Sequence, residues 1–212
     1  MRSKKTQHIP IILASTSPRR IDLMNQVQFI VEVQSPQTDE KPKKNEKPKT
    51  LVSRLAWEKA ESIRDLAMTR YDKSVIIAAD TVVVAPDGKQ ILGKPRNTAE
   101  AYRMLKKLSG KKHTVFTGYC LLLASKQKPV KQTVRVIQSK VKMRSLTKHE
   151  IIQYIASGEP MDKAGAYGAQ GLGMLLIEKI EGSYTNVVGL PMAQVFSDLA
   201  KDFDIPLFSR MS

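Results

Sequence analysis

A chain of 212 residues, 42% hydrophobic and 26% charged, has the makeup of a globular protein with ample core for one domain. Its 35 Lys and Arg against 20 Asp and Glu give a net charge of +15, yet the charge is spread along the chain, aromatics make up 6% and no DNA- or RNA-binding motif accompanies it. This balance argues against nucleic-acid binding and suits steering of anionic small molecules. The single Cys120 excludes an internal disulfide or a cysteine metal site, and no apolar run approaches the ~20 residues of a membrane span, so a cytoplasmic location is expected.

Residues 1–8 read as a basic N-terminal extension of one domain spanning 1–212, without the apolar core of a signal peptide. Ile11–Ala14 is an apolar strand that runs into the hydroxyl-rich turn Ser15-Thr16-Ser17. Pro18 then opens a helix, since its missing N–H and fixed φ suit the first helical position, and Ser17 is placed to cap it. A short extended stretch, Phe29 to Val33, leads into a solvated loop from Lys41 to Lys49. Thr50 is expected to cap a helix reaching about Ala67, with Leu51, Val52, Leu55, Ala56, Ala60 and Ile63 at helical spacing.

Val75 to Val84 is a nearly continuous apolar strand of the kind covered on both faces. Asn97 with Glu100 marks a capping-box-like start of a helix ending near Gly110. His113–Ala124 and Val130–Met143 form an expected antiparallel hairpin around a Lys126–Pro129 turn. Thr147 and Glu150 open a helix that stops at Gly158; a glycine-rich passage, Gly165 to Gly173, follows, then a strand from Met174 to Ile180. Pro191 begins the last helix, with Met192, Val195, Phe196 and Leu199 as its apolar stripe. The alternation of strands and helices predicts an α/β or α+β fold.

Four places carry chemistry. A helix N-terminus favours an anion, and Arg19 and Arg20 beside it read either as a phosphate clamp or as a solvated basic helix start. Asp80 interrupts a buried strand, so its carboxylate must meet a metal, a cation or several donors, unless the strand ends near Ala79. Hard oxygen ligands of this kind suit Mg²⁺ or Mn²⁺. Lys59 falls on an inward stripe, where it either snorkels or serves a site, and Pro95 holds Lys94 extended, as a solvated loop lysine or one aimed at a cleft. Neither a P-loop nor a dinucleotide glycine motif is present, so any phosphate would be held by side chains and a helix terminus.

Five segments in order, Leu-Ala-Ser-Thr-Ser-Pro-Arg-Arg (13–20), Ala-Asp-Thr-Val-Val (79–83), Gly-Lys-Pro (93–95), 157–171 and 182–191, together resemble the Maf family of nucleoside triphosphate pyrophosphatases. The resemblance implies an extended, twisted mixed sheet flanked by helices, with two lobes around a central active-site cleft. It implies hydrolysis of a nucleoside triphosphate to monophosphate and pyrophosphate with a divalent metal, and a homodimer. By the same resemblance Ser15, Arg19, Arg20, Lys59 and Lys94 fall where the family binds the triphosphate. Asp80 falls on its proton acceptor and Glu40 on a second acidic position; the two are the candidate metal ligands. The form of 157–171 is similar to the dTTP/UTP branch, in which Arg19, Thr81 and Gln170 match base-selecting positions, although Ala169 stands where isoleucine is common. The competing readings are a 7-methyl-GTP-directed member, a purine-directed relative of the inosine-triphosphate type, or a division-linked regulatory or nucleic-acid-binding protein. The front Ser-x-Ser-Pro-Arg-Arg motif argues against the purine-directed type, and the charged set Arg19, Arg20, Lys59, Asp80 and Lys94 against a pure binding module.

Overall fold

A computed structural model describes residues 9–127 and 131–206; the basic extension 1–8 and Pro129 of the hairpin turn lie outside the described residues. The apolar run at the front forms strand β1 (Ile11–Ala14), followed by helix α1 (Pro18–Gln26) and the short β2 (Glu32–Gln34). Helices α2 (Pro48–Glu61) and α3 (Arg64–Arg70) precede the long β3 (Lys73–Val84) and the two-residue β4 (Ile91–Leu92). Next come α4 (Thr98–Leu108), the β5 (Lys112–Ser125) and β6 (Lys131–Met143) hairpin, and α5 (Lys148–Ala156). Three short 3₁₀ turns lie between Glu159 and Leu176, and β7 (Ile177–Glu181), α6 (Tyr184–Val188) and α7 (Met192–Phe203) follow as the last elements of the described residues.

Among the described residues these strands form one mixed sheet in the order β2-β1-β3-β5-β6-β7, with β4 beside the end of β3. β1 runs parallel to both β2 and β3, whereas β3, β5, β6 and β7 are successively antiparallel. The sheet is covered on both faces, as the unbroken apolar run of β3 requires. On one face Ile77 and Tyr119 pack under Met24, Val195 and Phe196; on the other Ile76 and Leu122 pack under Ala56 and Ala60. Beyond the middle of β3, Val83 joins a separate cluster with Leu105, Ile151 and Tyr154 from α4 and α5. The expected α/β architecture on a mixed sheet is what the chain adopts.

Four local expectations differ from the structure. The second helix starts at Pro48, not after Thr50, because proline at the first helical position needs no donor; it breaks at Ser62 and resumes as α3, rather than running on to Ala67. Ser17 stands at the N-cap of α1 but its side chain caps nothing; instead its N–H donates to Ser15 Oγ at 3.1 Å. The strand expected from Met174 begins at Ile177, because residues 171–176 are taken up by a 3₁₀ turn. At α4 only half of the box forms: Asn97 accepts from the Glu100 N–H, while the Glu100 carboxylate turns to the Arg96 N–H and guanidinium. The full capping box expected at Thr147 and Glu150 is present.

The candidate active site

Where β1, α1 and β3 meet the turns around residues 162–168, a cleft encloses about 220 Å³. Ser15, Arg19, Arg20, Glu40, Lys59, Asp80, Thr81 and Lys94 all line it. Residues from five separated stretches of sequence are thus brought together, chiefly by the pairing of β1 with β3 and the packing of α2 on the sheet.

Its centre is an ion-pair triad. Lys59 Nζ lies 2.7 Å from Asp80 Oδ1 and 2.7 Å from Glu40 Oε1. Lys59 is 5% exposed and Asp80 7%, so the lysine does not snorkel, and the buried carboxylate meets the cation that its burial demands. Burial pushes the Asp80 pKa up, and the charges of Lys59 and Arg20 oppose that rise. Burial acts the same way on Glu40, but Lys59, Lys94 and Arg20 outweigh it and hold Glu40 below the ordinary glutamate value. Only one oxygen of each carboxylate is bonded to Lys59. No group of three or more His, Cys, Asp or Glu that could hold a metal occurs among the described residues. Two hard carboxylates facing a cleft have the donor chemistry that would fit a magnesium-like ion.

Arg19 and Arg20 diverge. Arg20 is buried, with Nε donating to the Gly189 carbonyl at 2.8 Å and Nη2 to Thr81 Oγ1 at 3.2 Å. Thr117 Oγ1 spends its only proton on the Asn186 carbonyl at 2.8 Å. In the 3.0 Å contact between the two threonines Thr81 is therefore the donor, and it accepts from Arg20. Arg19 reaches across the cleft to Asp162 Oδ2 at 3.0 Å, and Lys163 Nζ holds the other oxygen at 2.7 Å. Burial acts against the ionised Asp162, but Lys163 and Arg19 keep its pKa below the usual range.

Lys94 lies exposed on the rim with no ion pair among the described residues, and its neighbour Gly93 accepts the Gly165 N–H at 3.0 Å. Gln170 is not brought to the cleft: it is half-buried at the start of the 171–176 turn, and Gly168 and Ala169 line the wall instead. Asp162, Lys163 and Tyr167 also line the cleft and were not singled out from the sequence. All three lie in the 157–171 segment, where the charged pair Asp162-Lys163 beside glycines was the available signal.

The arrangement offers five cations, Arg19, Arg20, Lys59, Lys94 and Lys163, in a cleft with a buried carboxylate, a geometry for drawing a polyanion onto a group that can take a proton. Comparison with known proteins agrees in extent. A protein named dTTP/UTP pyrophosphatase from Dictyoglomus thermophilum is 47% identical over 188 residues, covering 88% of this chain and 93% of that protein. Proteins of the same name from Acetivibrio thermocellus and Clostridioides difficile are 41% and 42% identical, over 96% and 93% of this chain and 100% and 97% of their own lengths. A solved nucleoside-triphosphatase / dITP/XTP pyrophosphatase from Mycobacterium abscessus aligns over 92% of this chain at a TM-score of 0.38 and 12% identity, too distant to inform the fold. The family profile described as Maf-like protein matches residues 10–202, and with it the whole described cleft: this chain belongs to the Maf family.

Proposed function

We propose that the chain is a nucleoside triphosphate pyrophosphatase that hydrolyses dTTP and UTP to the monophosphate and pyrophosphate. The observation that carries the reading is the buried Lys59–Asp80 pair beside Arg20 in one cleft, in a chain 41–47% identical to proteins of that name. In this reading the triphosphate lies along Ser15, Arg19, Arg20, Lys59 and Lys94. To receive it, Arg19 exchanges the Asp162 carboxylate for a phosphate oxygen, which its planar fork fits equally well.

Asp80 takes a proton from a water that attacks the α-phosphorus. The bond from that phosphorus to the bridging oxygen breaks, and pyrophosphate leaves with the electron pair. The raised Asp80 pKa makes it a better proton acceptor than an ordinary aspartate. A divalent cation held by Glu40 and Asp80 would supply neutralising charge for the phosphates. Thr81 and Arg19 line the nucleotide's path and support roles in base selection, whereas Gln170 would need the 171–176 turn to move before touching a base. A homodimer and a cytoplasmic location rest on the family resemblance and composition; light scattering of pure protein reads the assembly.

The test is product analysis with dTTP, UTP, CTP, GTP and 7-methyl-GTP in Mg²⁺ or Mn²⁺. Monophosphate and pyrophosphate chiefly from dTTP and UTP is the expected result; the same products chiefly from 7-methyl-GTP would move the chain to that branch. Asp80→Asn keeps an acceptor for Lys59 and should stay folded while losing about 10²–10⁴-fold in turnover. Near-normal activity would remove Asp80 from the mechanism.

A further inference from the structure

Glu40 reaches Lys59 from a stretch, residues 35–47, that has no helix or strand of its own. Unstructured backbone does not by itself hold a carboxylate at 2.7 Å from a buried ammonium, because each unfixed residue keeps conformational entropy to lose. The stretch is fixed instead by two residues that straddle Lys59 on the same helical segment. On one side Ser62 Oγ accepts the Gln37 N–H at 3.3 Å while donating to the Lys59 carbonyl at 2.9 Å. On the other side stands Arg54.

Arg54 grips Glu46 with both arms of its fork, Nε to Oε1 and Nη2 to Oε2, each at 2.7 Å. The same Nη2 donates to the carbonyl of Lys41, the residue next to Glu40, at 3.2 Å, and Nη1 bonds Glu58 at 2.8 Å. Glu46 in turn accepts the Lys43 N–H at 2.9 Å, which ties the middle of the loop to the same carboxylate. Neither group touches the cleft. The side chains are 14% and 5% exposed, so this is a desolvated bidentate pair rather than a solvated surface contact. Lysine cannot replace such a fork, since it presents a point charge without the planar geometry.

We infer that Arg54, through Glu46 and the Lys41 carbonyl, is a positioning residue that delivers Glu40 to the Lys59–Asp80 pair. This rests on the pyrophosphatase reading for its catalytic consequence, but not for the staple itself. Two readouts separate them.

The first needs no turnover. The loop carries Lys43 and Lys44 as sites for trypsin, whereas Lys41 and Lys47 precede Pro42 and Pro48 and resist it. Arg54→Lys and the near-isosteric Glu46→Gln should each speed tryptic cleavage in 41–47 by about tenfold or more relative to cuts elsewhere; unchanged cleavage in the folded variants would overturn the inference.

The second is a double-mutant cycle on nucleotide hydrolysis. Each variant should lower kcat/KM by about tenfold in the native background and change it little in a Glu40→Gln background, because residues acting through one group are not additive. A full, additive loss in both backgrounds would reduce Arg54 to general stability and sink the positioning role. Should Arg54→Lys fail to fold, Glu46→Gln carries both arms. If the native protein cleaves no nucleotide, the proposed function fails, while the trypsin arm still decides the staple.

Discussion

Lys59 and Asp80 sit opposite each other at under a tenth exposure, and removing Lys59 takes from the buried Asp80 carboxylate the cation bonded to it. Lys59→Met should therefore cost about 3–5 kcal/mol in urea unfolding, far more than loss of a surface ion pair. Lys59→Met paired with Asp80→Leu should recover much of that stability while remaining inactive. Such recovery would show that the pair is kept for chemistry rather than for folding. Arg20 presents the same logic in neutral partners: its Nε and Nη2 are tied to the Gly189 carbonyl and Thr81. The left-handed φ of +129° at Gly189 lets that carbonyl turn inward, a conformation that a side chain there would resist.

Helix α2 carries Arg54 and Lys59, so its seat on the sheet sets the geometry of the cleft. The seat is Gly118 of β5, where an added Cβ would come within 2.3 Å of the Val52 carbonyl. Gly118→Ala must push the helix outward, with an expected cost of about 1–3 kcal/mol and a fall in turnover that exceeds any change at a remote surface site. A melting curve beside a hydrolysis assay checks both; an unshifted melt would mean that the helix yields freely.

Elements of strong periodicity were legible in advance: β1, β3, the β5–β6 hairpin and α7 follow from their apolar pattern, and Pro18 from the chemistry of its ring. The break at Ser62 was not, because Ile63 continues the helical spacing even though it caps a new helix. Asp80, Lys59 and Arg20 could be read because charges inside apolar patterns require partners. Asp162, Lys163 and Thr117 gave no such signal: a Lys beside an Asp in a loop looks solvated, and a threonine in a strand looks ordinary, until the fold supplies Arg19 and Thr81 as neighbours.

At the level of the whole molecule, acid should lower stability across two pH windows. Burial lowers the His113 pKa from 6.5 to about 4, so as pH falls below 6.5 the unfolded chain takes up a proton that the folded one refuses, and stability drops. The Glu46 carboxyl, held at about 2 by its bonds to Arg54 against an ordinary 4.5, adds a second loss between 4.5 and 2. Both act in the same direction. The urea midpoint should fall through these windows, and His113→Gln should flatten the upper one; an unaltered profile in that variant would place the loss elsewhere. β3 contributes side chains to all four apolar clusters of the described residues, among them Ile77, Ile76, Val83 and Val82, so the clusters should melt together in one transition. The same wiring has a consequence during synthesis. The face of β1, the first strand of the described residues, is closed by α7, the last of their helices. At about 5–20 residues per second, that apolar face waits on the order of tens of seconds for its cover. The nascent chain therefore keeps that face uncovered until Met192–Phe203 emerges.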